Sequence, residues 1–171
     1  TQAIPTAGSH VAGILFQKQT DTRFAFVPYR GGGPAMQDLV AGQIDMMIIQ
    51  AAVALPQVRG GAIKAYAVTA RSRFAAAPGV PTVDEAGLPG LYISGWFALF
   101  APKGTPKPVI DKLNAAVVDA LGNANVRARL ADLGQEIPLR EQQTPEALAA
   151  FHRAEVEKWW PIIKAANIKG E

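Results

Sequence analysis

Helix-like and strand-like segments alternate at short intervals through the first half of the chain. Each segment has an apolar face at helical or strand spacing, and glycines or prolines separate one segment from the next. This rhythm is typical of a parallel or mixed sheet covered by helices. We therefore predict an α/β fold that opens with an αβαβαβ unit. The predicted helices cover 9–19, 34–41 and a segment ending near 59. The predicted strands cover 23–27, 45–49 and 64–69.

The second half of the chain is predicted to be more helical. A non-periodic loop over 71–81 precedes a capping-box pattern from Thr82 to Glu85, which predicts a brief helix that ends at Gly87. A long aromatic strand over 91–101 marks an architectural boundary. The remaining predicted elements are helices over 109–121, 124–133 and from 145 onward, a short strand over 136–139, and a kink or restart at Pro161.

Composition excludes several classes of protein. The 171 residues are 49% hydrophobic and 18% charged, which argues against a disordered chain or a coiled coil. The net charge is +3, but lysines and arginines are scattered singly, so we predict no nucleic-acid partner. Because there is no cysteine, disulfides and thiolate metal sites are excluded. The most apolar stretch, Met46 to Leu55, is too short to span a bilayer. The first ten residues lack the features of a signal peptide, so we expect that a signal is either absent or removed.

Two short segments combine glycine, small polar residues and the start of a helix. In the segment 6–10, TAGSH, unpaired backbone N–H groups and the Ser9 hydroxyl would face an anion such as a carboxylate at the positive end of the first helix. In the segment 29–34, YRGGGP, three glycines let the backbone approach a ligand closely, and Pro34 suits a first helical position. Both interpretations have structural alternatives, in which Ser9 is only an N-cap and the glycines only form a tight turn.

The sequence offers little support for catalysis or for a cofactor. The glycines at 31–33 match neither a phosphate-binding P-loop nor a G-x-G-x-x-G dinucleotide fingerprint. His152 lies among charged helix residues and no metal-ligand spacing is present, so we predict no cofactor, no metal site and no catalytic residue. A serine hydrolase that uses Ser9 and His10 stays as an alternative, although the side chains of sequence neighbours diverge.

Four longer stretches of sequence occur in the same order as in one known family. They are FVPYRGGGPAMQDLVAGQIDMM, ALPQVRGGAIKAYAVTARSR, PGVPTVDEAGLPGLYISGWFALFAPKGTPKPVIDKLN and AEVEKWWPIIKAANIK. From about Ser9 to the end, the chain resembles the substrate-binding proteins of tripartite tricarboxylate transporters, the Bug or TctC family. The resemblance implies a non-enzymatic periplasmic receptor with a fold similar to type II periplasmic binding proteins. Such a receptor closes over a small organic acid, a di- or tricarboxylate, and delivers it to the membrane components of the transporter.

The resemblance also implies a division of the chain. Residues 1–92 would form the second ligand-binding lobe, and residues 93–171 the crossover strand and helical C-terminal segment that belong to the first lobe. Relatives begin with a further stretch that carries a signal peptide and most of the first lobe, so we expect a fragment, a processed product or a truncated gene. In an alternative interpretation, the chain forms a homodimer without ligand function, through apolar surface that the first lobe would cover.

The resemblance assigns ligand contacts to the two loops described above. The family's small-residue loop ending in serine and histidine resembles Gly8, Ser9 and His10. Its P-Y-[KR]-G-G stretch resembles residues 28–32, where we favour backbone N–H groups over the Arg30 side chain. The predicted ligand-binding residues are Thr6, Ala7, Gly8, Ser9, His10, Tyr29, Gly31, Gly32, Gly33, Ile49 and Gln50.

One segment departs from the family pattern. Many relatives carry acidic or amide side chains after the strand that begins at Asp45, whereas residues 48–53 of this chain are IIQAAV. Fewer polar side chains are then available to a ligand in the cleft. We therefore predict a ligand with an apolar middle, such as adipate or terephthalate, rather than citrate or aspartate.

Overall fold

The computed structural model describes residues 1–168 and contains a small parallel sheet near the start of the chain. β1 is the middle strand in the order β2-β1-β3, and Ala3 pairs with Val27 on one side and with Met47 on the other. The predicted α/β class is confirmed. The elements of this part are β1 Gln2–Ile4, α1 Ala7–Thr20, β2 Phe26–Pro28, α2 Gly32–Val40, β3 Met46–Met47 and α3 Ala51–Arg59.

The central strand β1 is absent from the sequence-based prediction. It has only three residues, Gln2–Ile4, and the first of them is polar. Alternation over three residues is too short to separate a strand from a turn. Its identity as a strand therefore depends on β2 and β3, which pair with its two edges.

Successive residues of β1 face opposite sides of the sheet and define two packing layers. Ala3 is fully buried and clusters with Ala35 of α2 and with Ile44. Gln2 is also fully buried, and its Nε2 donates to the Ser9 carbonyl of α1 at 3.1 Å. Helices α1 and α2 thus cover opposite faces of the sheet. The partly buried residues that pack against the Ala3 cluster are Val27, Tyr29, Leu39 and Met47.

Helix α2 begins earlier than predicted. It starts at Gly32, so Pro34 is its third residue rather than its first. The preceding Gly31, with φ 104° and ψ 172°, directs the chain into the helix directly after the loop. The predicted stop at Gly42 agrees with the structure, because α2 ends at Val40 and Gly42 has φ 73°.

The strands predicted over 64–69 and 91–101 do not form, and these predictions are wrong. Val68 makes an isolated parallel bridge with Thr82, and no residue of the second segment is assigned to a strand. A strand requires a neighbour that pairs with its N–H and C=O groups along its length. The described part of the chain supplies no such neighbour, so the apolar pattern alone does not produce a strand.

The helix predicted from Thr82 to Gly87 is also wrong, although its capping box is present. The Glu85 N–H donates to Thr82 Oγ1 at 3.2 Å, and the Thr82 N–H donates to the Glu85 carboxylate at 2.8 Å. Arg73 donates to the same carboxylate at 2.9 Å. The hydrogen bond from Arg73 and, to a smaller extent, the one from the Thr82 N–H lower the pKa of Glu85. Only turns form here, because Gly87 takes φ 86° after a single turn.

Residues Trp96–Ala165 form a second compact unit, distinct from the unit that contains Thr1–Gly95. The predicted helices of this region are confirmed. The predicted strand over 136–139 is wrong, because the described residues offer it no partner strand. Helix α6 continues through Pro161, so it does not restart there, and the alternative of a kink stays a prediction. The elements of this unit are α4 Lys107–Gly122, α5 Ala124–Asp132, a 3₁₀ turn at Arg140–Gln142, and α6 Pro145–Ala165.

None of the helices in the described residues combines the length and the apolar character needed to cross a bilayer.

Candidate functional site

The carboxyl ends of the three parallel strands lie at one edge of the sheet, and a helix begins just after each of them. Helices α1, α2 and α3 start within four residues of the ends of β1, β2 and β3. The start of a helix carries unpaired backbone N–H groups and the positive end of the helix dipole. This edge of the sheet therefore favours an anion, at the place where open α/β sheets bind their ligands.

Thr6, rather than the predicted Ser9, is the N-cap of α1. Its side chain accepts a hydrogen bond from the Ser9 N–H at 3.1 Å, and its own N–H donates to Ser9 Oγ at 3.0 Å. The Ser9 hydroxyl is buried and donates to the Thr6 carbonyl at 2.7 Å. Ser9 lies too deep in the helix to be an N-cap, because α1 already begins at Ala7. With its partners inside the loop, Ser9 stiffens the loop, and its contact with a ligand stays a prediction.

Ala7 and Gly8 supply the donors that remain in this first loop. The His10 N–H is used, because it donates to the Thr6 carbonyl at 3.1 Å. Ala7 and Gly8 are the first two helical residues, so their N–H groups have no carbonyl partner within the helix, and both residues are exposed. The His10 ring packs edge-on against Phe26, with 4.7 Å between ring centroids. Two adjacent N–H groups are therefore available for the oxygens of a carboxylate.

The three glycines of the second loop differ in backbone conformation and in the space that a side chain would have. Gly31 has φ 104° and ψ 172°, a conformation almost restricted to glycine. A Cβ on Gly32 would lie 2.9 Å from Ile49 Cδ1 and 3.3 Å from Val53 Cγ1, whereas a Cβ on Gly33 would have nothing within 4 Å. A third loop, residues 48–50, joins β3 to α3. The second loop meets it where Gly32 lies against Ile49, and both of these residues are predicted ligand contacts.

We expect Gly31→Ala to lower the free energy of unfolding by about 1–2 kcal/mol, because a Cβ is strained at this φ. Gly33→Ala is the matched control, since Gly33 lies in the first turn of α2 with open space around it. That control should be neutral or stabilising by up to about 1 kcal/mol. Urea denaturation compares the two variants, and equal stabilities would refute the conformational requirement at Gly31.

The Tyr29 side chain fastens the second loop to α2. Its hydroxyl donates to Asp38 Oδ2 at 2.7 Å, and its ring packs against the Ala3 cluster. The hydrogen bond to Asp38, followed by desolvation, raises the pKa of Tyr29. Asp38 is absent from the predicted site residues, because a side-chain hydrogen bond between residues nine positions apart leaves no pattern in the sequence.

The third loop brings Gln50 beside a segment that the sequence-based prediction missed. A Cβ on Gly95 would lie 3.4 Å from Gln50 Cγ, and the neighbouring Ser94 is exposed. The segment is held in place by the Ile93 N–H, which donates to the Thr69 carbonyl at 3.1 Å. Ser94 and Gly95 therefore join Gln50 as candidate contacts. They lie inside the predicted aromatic strand, whose apolar pattern gave no sign of this role.

The same geometry bears on the hydrolase alternative. The Ser9 hydroxyl donates to the Thr6 carbonyl, and the His10 ring packs against Phe26, so the two side chains are not joined as nucleophile and base. Within residues 1–168, no group of three or more histidine or acidic side chains is arranged to hold a metal ion. The backbone N–H groups at the sheet edge are suited to binding an anion without covalent chemistry.

A parallel sheet with three helix N-termini at one edge is typical of α/β domains that bind ligands, and solved binding proteins share this fold. MatC from Rhodopseudomonas palustris, with bound malate, is similar at TM-score 0.87 and 41% identity, over 95% of this chain and 56% of that chain. The periplasmic binding protein BugD gives TM-score 0.86 at 36% identity, over 99% of this chain and 57% of its own. A second R. palustris protein, with adipate, has TM-score 0.87 and 28% identity, over 97% of this chain and 55% of its own. The predicted periplasmic-binding-protein fold is confirmed.

The family model described as the tripartite tricarboxylate transporter family receptor matches residues 5–168, and the chain belongs to this family. A UPF0065 protein of Agrobacterium vitis is 41% identical, over 98% of this chain and 49% of its own length. Protein BugT of Bordetella pertussis is 32% identical, over 94% of this chain and 48% of its own length. A UPF0065 protein of Pseudomonas knackmussii is 30% identical over 90% of both chains. The predicted family is thus confirmed, and the chain spans about half the length of the A. vitis and B. pertussis relatives.

Proposed function

We propose that this chain acts in the periplasm as a non-enzymatic solute-binding protein, or as part of one. Its ligand is a small di- or tricarboxylate. The observation that carries the proposal is the pair of N–H groups without a partner in the helix, at the exposed residues Ala7 and Gly8, on the sheet edge where two further helices begin. A carboxylate bound there pairs with donors that the helix leaves open, and the helix dipole adds about 0.3–1 kcal/mol.

The ligand in this proposal has an apolar middle. The structures of MatC and of the second R. palustris protein hold malate and adipate, which supports a dicarboxylate. Of these two acids, adipate has the apolar middle, whereas malate carries a hydroxyl. Beside the sheet edge, the Ile49 side chain covers Gly32 and is joined by Val53. A ligand hydroxyl or ammonium group placed against these aliphatic carbons would lose its hydrogen bonds to water, at a cost of about 1–3 kcal/mol. We therefore favour adipate or terephthalate over citrate or aspartate.

The proposed partners are the membrane components of a tripartite tricarboxylate transporter. In this proposal residues 1–92 act as the second ligand-binding lobe, and residues 93–171 supply the crossover and the return segment of the first lobe. Closure of two lobes over the acid would bury its carboxylates before transfer to the transporter. Membership of the receptor family supports this assignment.

Isothermal titration calorimetry with adipate, terephthalate, malate, citrate and aspartate tests the proposal. We expect adipate or terephthalate to bind at least tenfold more tightly than citrate or aspartate, which corresponds to about 1.4 kcal/mol. Tighter binding of citrate or aspartate would contradict the apolar middle. Heats indistinguishable from dilution for all five acids would contradict carboxylate capture by this chain.

The homodimer alternative has one observation in its favour. Phe97, Leu99 and Phe100 are 61–78% exposed in the second unit, and exposed apolar side chains of this size favour association. Native mass spectra of the calorimetry samples separate the two hypotheses. A monomer that carries one acid supports solute capture, and an unliganded dimer supports the alternative.

A further inference from the structure

The second unit contains a cavity that the proposed function does not use. The cavity has a volume of about 320 Å³ and lies between the end of α4, the start of α5 and the 3₁₀ turn at Arg140–Gln142. Its volume falls at the lower end of the range for small-molecule sites. The lining residues that matter here are the apolar Val118, Leu121, Ile137 and Leu139 and the basic Arg127 and Arg140.

Two arginines are the charged side chains of this lining, and no aspartate or glutamate among the described residues lines the cavity. Arg127 Nη1 makes one long contact with the Leu121 carbonyl at 3.4 Å, near the end of α4. That contact leaves most of its N–H groups open, because a guanidinium carries five donors. Within residues 1–168, the Arg140 guanidinium takes part in no hydrogen bond or ion pair. Arg127 and Arg140 are both exposed, so both guanidinium groups have N–H donors available to an anion in the cavity.

We propose that this cavity binds an anion with a short alkyl chain, such as a medium-chain carboxylate. The carboxylate pairs with the Arg127 and Arg140 guanidinium groups, which favour planar two-oxygen anions. The alkyl chain packs on Leu139, which is 64% exposed, and on the aliphatic wall from Val118 and Leu121. Charge complementarity supports this occupant. Two arginines without a lining carboxylate would repel a cationic ligand. An uncharged alkyl ligand would offer the guanidinium groups no hydrogen-bond acceptor.

Octanoate is the probe for this site, and ¹H–¹⁵N spectra of the whole chain report where it binds. We expect saturable shifts among residues 118–143, with binding at least tenfold weaker for acetate and for octylammonium. Arg140→Gln should weaken octanoate binding at least tenfold. The matched control is Arg129→Gln, which removes an arginine of α5 that does not line the cavity and should leave the affinity unchanged.

Three results would overturn the proposal. They are the absence of saturable shifts up to about 10 mM octanoate, binding of octylammonium as tight as octanoate, and equal affinities of the Arg140→Gln and Arg129→Gln variants. Shifts confined to residues 6–10 and 29–33 would also overturn it, because the probe would then occupy the sheet edge. If the spectrum of Arg140→Gln shows an unfolded chain, Leu139→Ser replaces it, since an exposed leucine tolerates this change.

Discussion

Gly13→Val should lower the free energy of unfolding by about 3 kcal/mol. Gly13 lies where α1 packs on the sheet, and a Cβ there would come within 2.5 Å of Gln2 Oε1 and 2.6 Å of Phe26 Cε1. Gln2 is fully buried and hydrogen-bonded to α1, while Phe26 is flanked by the rings of His10 and Phe24 at 4.7 and 5.5 Å. To move aside, Gln2 would break its hydrogen bond to the Ser9 carbonyl, and Phe26 would lose its contacts with the two rings. The branched valine adds two further carbons at the same point.

Gly8→Ala is the control for this substitution, because Gly8 lies on the same helix. Its Cβ would have Thr6 Oγ1 as nearest neighbour at 3.7 Å, an ordinary contact. Its stability should change by less than about 0.5 kcal/mol or increase slightly. Gly13→Ala should fall between the two. Guanidinium denaturation measures all three variants, and a Gly13→Val midpoint equal to that of Gly8→Ala would refute the close packing of α1 on β1.

Ala7→Pro is expected to weaken carboxylate binding roughly 10- to 100-fold while it leaves stability almost unchanged. The first helical position accepts proline, because its N–H has no partner within the helix. Thr6 already has φ −148° and ψ 159°, the extended conformation that a residue before proline prefers. The substitution therefore removes one N–H donor and little else. A hydrogen bond from such a donor to a carboxylate contributes about 1.5–3 kcal/mol.

Ala7→Gly controls for the loss of the alanine side chain, since it keeps the N–H. Its affinity for adipate should stay within about threefold of the unchanged chain, with a stability loss of up to about 1 kcal/mol. Calorimetry gives the affinities, and thermal unfolding confirms that both variants fold. If Ala7→Pro bound adipate as tightly as Ala7→Gly, the start of α1 would not be the carboxylate site.

The helices were largely predictable from the sequence. α3, α4 and α5 end within a few residues of the predicted limits, because their apolar positions recur at helical spacing and glycines or polar residues follow them. The sheet was less predictable. The aromatic pattern over 91–101 indicated a long strand that does not form, and three residues at Gln2–Ile4 indicated no strand yet form the centre of the sheet.

The candidate site divides in a similar way. The sequence indicated both glycine-containing loops, because glycines and small polar residues before a helix are local signals. It did not distinguish Thr6 from Ser9 as the N-cap, and it contained no sign that Tyr29 bonds to Asp38. Nor did it bring Gly95 beside Gln50, because that contact joins loops far apart in the chain.

By itself, the sequence determined the family, the order of most helices and the two glycine-containing loops, since each depends on residues close together in the chain. The tertiary structure decided which strands exist, which helix N–H groups stay open, and that Gly32 lies against Ile49. These features depend on hydrogen bonds and packing between distant segments. A local pattern can favour such contacts, but only a partner segment in the folded chain can complete them.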